Sequence, residues 1–206
     1  MILTDSRRVK QRYNSLAGCY NAMMHHQQYT CPHTAADLIR QHMQVESPDV
    51  TKVLDIGCGT GLVGQALVED EVHPYVIHGL DFALNAIAVA AETGAYSRFI
   101  EYDLTQLPTP LESGLYDAVT CIGTLGHLNN FEAMMRECCR LVKAEGLIVF
   151  TQRDDVWDSR DCGDVVQRMC EAGLWSLVHV TDSVPYMPGN RKMTDVTARI
   201  WVYRKL

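Results

Sequence analysis

The sequence of 206 residues contains no dense block of lysine and arginine, and its acidic residues outnumber the basic ones by 25 to 18. Proteins that bind nucleic-acid backbone or an anionic membrane surface usually carry a basic patch, so the formal charge of -7 speaks against both partners. No run approaches the roughly 18 consecutive apolar residues of a membrane span, and the first residues lack the apolar centre of a secretory signal. We therefore expect a soluble, cytoplasmic protein that acts on a small molecule, with a protein as the alternative partner and the oligomeric state left open.

No CxxC pair occurs among the eight cysteines. Disulfide frameworks belong mainly to exported chains, so we expect reduced thiols that serve as small apolar fillers. A polar segment contains His25, His26, Cys31 and His33. These residues lack a recognised ligand spacing, and we predict no metal site.

The chain does contain a regular alternation of short β-rich runs and helical patterns from Val53 onward. Such alternation is typical of a parallel sheet covered by helices on both faces. The predicted strands are 52–56, 75–80, 98–102, 116–122 and 147–151, and the predicted helices are 62–69, 83–92, 131–143 and 164–172.

The end of the chain breaks this alternation. Two strand-like runs, 175–180 and 196–203, are joined by a segment that has proline and glycine but no helical period. Without a crossover helix, such strands are most easily joined as an antiparallel pair. The predicted fold is therefore α/β, a Rossmann-like three-layer sandwich whose mostly parallel sheet ends in a C-terminal antiparallel hairpin strand.

Residues 1–50 form a segment ahead of this domain, which spans 51–206, and they are polar and aromatic in character. We predict helices over 5–16 and 34–43, the second capped by Thr34. The segment either caps one face of the sheet or closes as a lid, because ligands of such folds bind outside the carboxyl ends of the strands. Tyr13 and Tyr20 are candidates to line the ligand site, with packing against the sheet as the alternative.

A glycine-rich loop follows the first predicted strand in VLDIGCGTGLVG. Gly59, Gly61 and Gly64 match the dinucleotide fingerprint, in which a pyrophosphate lies on a helix N-terminus. Asp55 ends the strand, where its carboxylate would repel a pyrophosphate and attract an ammonium or sulfonium group. The loop therefore favours a cationic ligand.

Carboxylates also end the next two predicted strands. Asp81 stands where an acid commonly accepts hydrogen bonds from both hydroxyls of a ribose. Asp103 is placed to accept from an adenine amino group while Leu104 lines the ring. Asp81 indicates an adenosine-containing ligand without distinguishing NAD from S-adenosylmethionine, and Asp103 adds a third acid at a strand end.

The motifs VLDIGCGTG, GLDFALNAIAVA, EYDLTQLP, YDAVTCIGTLGHL and RLVKAEGLIVFTQR follow one another along the chain. In this order they resemble the successive motifs of class I S-adenosylmethionine-dependent methyltransferases. The front YNSLAGCYN and the end IWVYRKL are similar to the methyltransferase-like proteins named for the Williams–Beuren syndrome chromosomal region. The resemblance implies a seven-stranded sheet with a reversed last strand and S-adenosyl-L-methionine as the cofactor.

The resemblance also implies which residues contact that cofactor. The glycines would surround its methionine part, Phe82 would lie against the adenine, and Ile122 would border the sulfonium. The implied set is Tyr13, Asp55, Gly57, Cys58, Gly59, Gly61, Asp81, Phe82, Asp103, Leu104 and Ile122. No Asn/Asp-Pro-Pro-Tyr/Phe follows Cys121, so methylation of nucleic-acid bases at an exocyclic amine is not supported.

Methyl transfer from a sulfonium is an in-line displacement that needs a general base only when the acceptor must lose a proton. His127 follows the fourth strand and is the candidate base, because an imidazole of ordinary pKa, about 6.5, accepts protons near neutrality. Tyr20 is the second catalytic candidate. Arg153 and Arg191 could meet an anionic substrate, with local pairing as the alternative. Two other functions stay open, a regulatory module that binds the cofactor without catalysis and an NAD-dependent dehydrogenase.

Overall fold

A computed structural model describes residues 3–43, 50–69 and 73–206. Its elements, in chain order, are α1 (Ser6–His26), α2 (Cys31–His42), β1 (Thr51–Ile56), α3 (Leu62–Val68), β2 (Tyr75–Asp81), α4 (Leu84–Glu92), β3 (Arg98–Glu101), β4 (Tyr116–Cys121), a 3₁₀ helix (Leu125–His127), α5 (Phe131–Leu141), β5 (Val142–Arg153), α6 (Asp154–Ser159), α7 (Cys162–Glu171), β6 (Trp175–Val180), β7 (Val184–Pro185) and β8 (Thr197–Lys205). In the predicted N-terminal segment, residues 1–2 and 44–49 lie outside the described residues. None of the described helices combines the length and apolar character needed to cross a membrane.

The strands form one sheet in the order β3-β2-β1-β4-β5-β8-β6. Strands β1 to β5 pair in parallel, whereas β8 runs antiparallel to both β5 and β6. The α/β prediction with antiparallel C-terminal strands is therefore confirmed. From β1 the chain adds β2 and β3 toward one edge of the sheet, and from β4 it adds the later strands toward the other edge. The order of strands therefore reverses between β1 and β4, and ligands of open α/β sheets bind at such a point.

Each face of the sheet carries its own hydrophobic core, because successive strand residues point to opposite faces. Leu54 and Val119 belong to the core beneath α5 and α7, whereas their neighbours Val53 and Ala118 belong to the core beneath α2 and α3. The parallel strands are thus buried on both sides, which explains why their sequences read as continuous apolar runs rather than alternating ones.

The two N-terminal helices differ from the prediction at their ends. Helix α1 continues to His26, ten residues beyond the predicted end at 16, and the Asp5 side chain caps it by accepting from the backbone N–H of Arg8 at 3.0 Å. Helix α2 begins at Cys31, so the predicted N-cap at Thr34 is wrong. Pro32 occupies its first turn, where a missing backbone N–H costs nothing.

The second half of the chain holds three further differences. The helix predicted over 131–143 ends at Leu141, and β5 starts at the next residue. Helix α6 was not predicted. The hairpin segment contains the two-residue strand β7, so the sheet has eight strands rather than seven. Val184 and Pro185 are both exposed, and a strand this short offers no hydrophobic alternation to read.

Small residues let α1 lie close to α4. Ala17 of α1 is buried against Ala83 and Ala86, and Tyr13 and Phe82 pack at the edge of this cluster. Helix α2 instead contributes Ala35 and Ile39 to the core beneath the sheet, among other buried residues. The N-terminal segment therefore divides into one helix of the covering layer, α2, and one helix above the strand ends, α1.

Candidate active site

A cleft, called here the cofactor cleft, opens where the first four strands end. The loops after β1, β2, β3 and β4 supply most of its wall, and α1 and the start of α2 close it from above. The wall includes Ser6, Val9, Tyr13, Tyr20, Tyr29, Gly57, Cys58, Gly59, Thr60, Asp81, Phe82, Asp103, Leu104, Thr105, Ile122, Gly123, Thr124 and His127. The structure thus brings together all but two of the residues predicted for the site.

The glycine loop after β1 lies tightly against the loop after β4. Gly57 has a φ of +72°, and a Cβ atom built there would lie 2.1 Å from the Oγ1 atom of Thr124. A side chain at position 57 would therefore force the two loops apart. Thr124 was missed in the sequence because no motif marks it, and only the approach of β4 to β1 reveals its role.

Asp81 holds the glycine loop and the start of α4 in place. Its Oδ2 accepts from the N–H of Gly59 at 2.9 Å, and its Oδ1 accepts from the N–H of Ala83 at 2.8 Å. Burial raises the pKa of this carboxyl, and the backbone hydrogen bonds act in the opposite direction. Because each carboxylate oxygen has a second lone pair, Asp81 can accept two further hydrogen bonds from a ligand in the cleft.

Asp103 follows the end of β3, and one of its carboxylate oxygens already accepts hydrogen bonds within the chain. Its Oδ1 accepts from both the N–H and the hydroxyl of Thr105, at 3.0 and 2.8 Å. Its Oδ2 accepts no hydrogen bond from the described part of the chain and can take an amino group. Phe82, Leu104 and Ile122 supply apolar wall. The set suits a flat, partly polar ring system such as a purine.

Asp55 and Gly61 are absent from the wall of the cleft, in contrast to the contacts predicted for them. Asp55 is 1% exposed, and its two oxygens accept from the hydroxyls of Tyr96 and Thr120, both at 2.7 Å. Burial raises the pKa of this carboxyl to about 6, although both hydrogen bonds oppose the rise. Gly61 has a φ of +88° and precedes α3, where a Cβ atom would lie 3.1 Å from Ala90.

Tyr96 links Asp55 to Gly64, and no sequence motif marks it. Its hydroxyl donates to Asp55 and accepts from the N–H of Gly64 at 3.0 Å. A Cβ atom at Gly64 would lie 2.4 Å from the Tyr96 ring. The third glycine of the fingerprint therefore makes room for a tyrosine that positions the first turn of α3.

His127 is held in one tautomer at the edge of the cofactor cleft. Its Nδ1 lies 2.7 Å from the carbonyl oxygen of Leu3, which can only accept, so Nδ1 carries the proton. Its Nε2 then accepts from the Tyr13 hydroxyl at 3.0 Å. Burial lowers the pKa of His127, the Leu3 hydrogen bond raises it, and the charges of Arg12, Arg153 and Arg160 lower it further. The imidazole is therefore neutral near pH 7, as a general base must be.

Three tyrosines enclose the space beside His127. Tyr13 and Tyr20 have ring centroids 5.8 Å apart, and burial raises the pKa of each phenol. Both hydroxyls therefore stay protonated and act as hydrogen-bond donors. Tyr29, which the sequence analysis missed, faces Gly123, where a Cβ atom would lie 2.8 Å from its hydroxyl.

The remaining candidates fall outside the cofactor cleft. Arg153 lines an adjoining cavity, whereas Arg191 lines neither space. His33 lies 3.6 Å from Glu69 on the surface. Within residues 3–43, 50–69 and 73–206, no group of three or more His, Cys, Asp or Glu side chains is arranged to hold a metal ion.

Residues 54–150 match a family model described as a methyltransferase domain. The chain is 30% identical over 104 residues to the ubiquinone biosynthesis O-methyltransferase of Pectobacterium atrosepticum and equally to that of Bordetella avium. Each alignment covers 48% of this chain and 42% of the relative. The match therefore spans less than half the length of these curated relatives.

Solved structures resemble the whole chain in fold. The cyclase SpnF has a TM-score of 0.71 at 16% identity, with 100% of this chain and 97% of that chain covered. The magnesium protoporphyrin IX methyltransferase from Synechocystis PCC 6803 with bound SAH has a TM-score of 0.67 at 16% identity, with 98% and 100% covered. Because these two proteins are described by different reactions, the likeness establishes the fold alone. Together with the match of residues 54–150 to a methyltransferase domain, this likeness shows that the chain has a Rossmann-like methyltransferase fold.

Proposed function

We propose that this protein binds S-adenosyl-L-methionine and transfers its methyl group to a hydroxyl oxygen of a small molecule. The observation that carries the proposal is that one cleft combines two carboxylates suited to adenosine with a neutral imidazole, His127. The names of the two bacterial relatives support oxygen as the accepting atom.

The cofactor is held by residues of the four strand ends. Asp81 accepts hydrogen bonds from the ribose hydroxyls, and Asp103 Oδ2 accepts from the adenine amino group between Phe82 and Leu104. The backbone of Gly57 to Gly59 follows the methionine part, with Ile122 near the sulfur. Asp55 acts from behind the loop, because a buried carboxylate attracts a cation over a longer distance than an exposed one.

When bound, the cofactor supplies an electrophilic methyl group, and the chain supplies alignment, water exclusion and a base. The acceptor hydroxyl takes the place of Tyr13 at Nε2 of His127 and passes its proton to that nitrogen. Tyr13 and Tyr20 exclude water from the reacting atoms, and the Tyr20 hydroxyl orients the acceptor. Helix α1 acts as the lid that carries both tyrosines.

Three narrower assignments belong to the same proposal. The motif YNSLAGCYN lies in α1 above the cofactor cleft, which supports a relationship to the Williams–Beuren region methyltransferase-like proteins. The division into a helical cap, 1–50, and a methyltransferase domain, 51–206, is supported by the position of α1. All eight cysteines are free thiols, which supports a reducing compartment, the cytoplasm.

Calorimetric titration with S-adenosylmethionine, S-adenosylhomocysteine and NAD tests the cofactor assignment. We expect both sulfur nucleosides to bind. Asp81→Asn should weaken their binding about tenfold, because the ribose hydroxyls lose a charged hydrogen-bond acceptor. Asp195→Asn, an exposed acid outside the cleft, is the matched control. Binding of NAD without either sulfur nucleoside would support the dehydrogenase instead.

Transfer of a labelled methyl group into an extract of small metabolites tests the reaction. We expect His127→Gln to reduce labelling by about a hundredfold or more, the usual contribution of a general base, with calorimetric cofactor affinity unchanged. If the wild-type chain binds the cofactor and labels nothing, the regulatory module becomes the better account.

A further inference from the structure

A second cavity adjoins the cofactor cleft on the side of β5 and the hairpin. Tyr13, Tyr20, Gly123 and His127 line both spaces, so the two meet at the candidate base. Most of the rest of its wall comes from α1, the end of β5 and the segment between β7 and β8. We call it the cationic cavity, for the charges described next.

Its charged residues are all basic. Arg12, Arg153 and Lys192 line the cationic cavity, and no aspartate or glutamate does so among the described residues. This contrasts with the whole chain, which has 25 acidic and 18 basic residues. A wall with three cations in an acidic protein is complementary to a negatively charged molecule.

These cations keep unused donors. Arg153 donates to Asp155 through Nε and Nη2, at 3.0 and 2.6 Å, and its Nη1 makes no hydrogen bond to any described residue. The side chains of Arg12 and Lys192 likewise form no hydrogen bond or ion pair within the described ranges. Arg12 and Arg153 are also close enough to His127 to lower its pKa. The donors and the base therefore belong to one site.

The remaining wall combines polar side chains, among them Gln27, Gln152 and Asn190, with an apolar part that is adaptable. Met23, Met24, Met187 and Met193 line the cationic cavity together with Leu16. Methionine side chains adjust to irregular apolar shapes and contact aromatic rings favourably. A molecule bound here is therefore expected to have an apolar body as well as a charge.

We propose that the cationic cavity binds the methyl acceptor and selects a small hydroxy acid, a molecule with an apolar body, one anionic group and a hydroxyl. This inference rests on the function proposed above. The anionic group pairs with Arg153, Arg12 and Lys192, the apolar body lies on the methionines, and the hydroxyl reaches His127. The hydroxyl oxygen bonds to the methyl carbon as the sulfur–carbon bond breaks, His127 Nε2 takes the proton, and a neutral thioether leaves.

The charge of the acceptor also assists the base. An anion beside Arg12 and Arg153 offsets the positive charges that lower the pKa of His127. The imidazole therefore becomes a stronger base when the acceptor is present, which a neutral acceptor would not achieve.

Two related fluorescent probes test the selection by charge. Protein saturated with S-adenosylhomocysteine is titrated with anilinonaphthalene sulfonate, an apolar anion, and with N-phenylnaphthylamine, its uncharged counterpart. The variants Arg153→Gln, Arg12→Gln and Lys192→Gln are compared with Arg199→Gln, Arg8→Gln and Arg191→Gln. Arg8 lies on the same helix as Arg12, Arg191 lies in the same segment as Lys192, and Arg199 lies on β8, the strand paired with the end of β5 that carries Arg153. None of these three arginines lines the cavity.

We expect each cavity variant to weaken the binding of the anionic probe about threefold to tenfold, because a cation that pairs with it is removed. Binding of the neutral probe should weaken less than about twofold, because it has no charge to pair. The control variants should leave both probes within about twofold of the wild type. Equal responses of the two probes, or equal effects of cavity and control variants, would overturn the inference. Failure of S-adenosylhomocysteine to bind, seen before any probe is added, would instead overturn the proposed function.

Discussion

Asp55 and Asp81 are the same residue type near the ends of two neighbouring strands, yet their surroundings differ. Asp81 faces the cofactor cleft, where its oxygens keep lone pairs for a ligand. Asp55 is buried outside the wall of the cleft, and its oxygens accept hydrogen bonds from Tyr96 and Thr120. The strand-end position of both acids could be read from the sequence. The hydrogen-bond partners of Asp55 could not, because Tyr96 and Thr120 are distant in sequence and adjacent only in the folded chain.

The raised pKa of Asp55 makes stability depend on pH in a defined direction. Its folded-state pKa of about 6 lies above the ordinary value of 3.8, so the folded state favours the protonated form. The stability linked to that proton is present below the lower value and lost as the pH rises through the higher one.

We therefore expect the free energy of unfolding of the wild type to fall by about 2 kcal/mol relative to Asp55→Asn between about pH 4 and about pH 7. The variant has no proton to lose at this site, and the other groups titrate in both proteins. Urea unfolding of both proteins across this range measures the difference. Parallel stability curves would contradict the raised pKa.

At the scale of elements, α1 departs most from the sequence prediction. The prediction ended this helix at residue 16, yet the helix continues through Gly18, a residue of low helix propensity, to His26. Packing explains the continuation. Ala17 is buried against α4, and a glycine beside it is tolerated since tertiary contacts outweigh its propensity.

Substitutions at the neighbouring positions 17 and 18 of α1 should change the free energy of unfolding in opposite directions. We expect Gly18→Ala to stabilise the protein by about 1 kcal/mol, since a Cβ atom there meets nothing within 4 Å. Ala17→Leu should destabilise it by about 1–3 kcal/mol, because the larger side chain must fit between α1 and α4. Denaturant unfolding measures both.

The same pair tests whether α1 serves the site. Ala17→Leu should also weaken the binding of S-adenosylhomocysteine, because the displaced helix carries Tyr13 and Tyr20 away from the cofactor cleft. Gly18→Ala should leave this binding unchanged. A destabilised Ala17→Leu protein with unchanged cofactor affinity would indicate that α1 is only a structural cap.

At the scale of the whole molecule, the cysteines differ in how far the fold buries them. Cys19 is exposed, Cys170 is partly buried, and the other six are buried. Burial raises the pKa of buried thiols, to about 12 for Cys31 and about 11 for Cys162. Reaction needs both access and thiolate, and these thiols have neither.

Labelling with a chromogenic disulfide reagent should find one fast thiol in the native protein, a slower one at Cys170 and all eight in denaturant. Cys19→Ser should abolish the fast phase. Several fast thiols in the native state would mean that the six buried cysteines are more accessible than the fold indicates.

The sequence by itself determined the layered α/β architecture, the glycine loop and the acids at three strand ends, because these depend on local periodicity and on the order of strands. Only the tertiary structure decided that His127 meets Leu3 and Tyr13, that Asp55 turns to Tyr96, and that three basic residues gather in one cavity. Those arrangements join segments far apart in the chain. They depend on how helices and loops pack across the sheet, which no local pattern encodes.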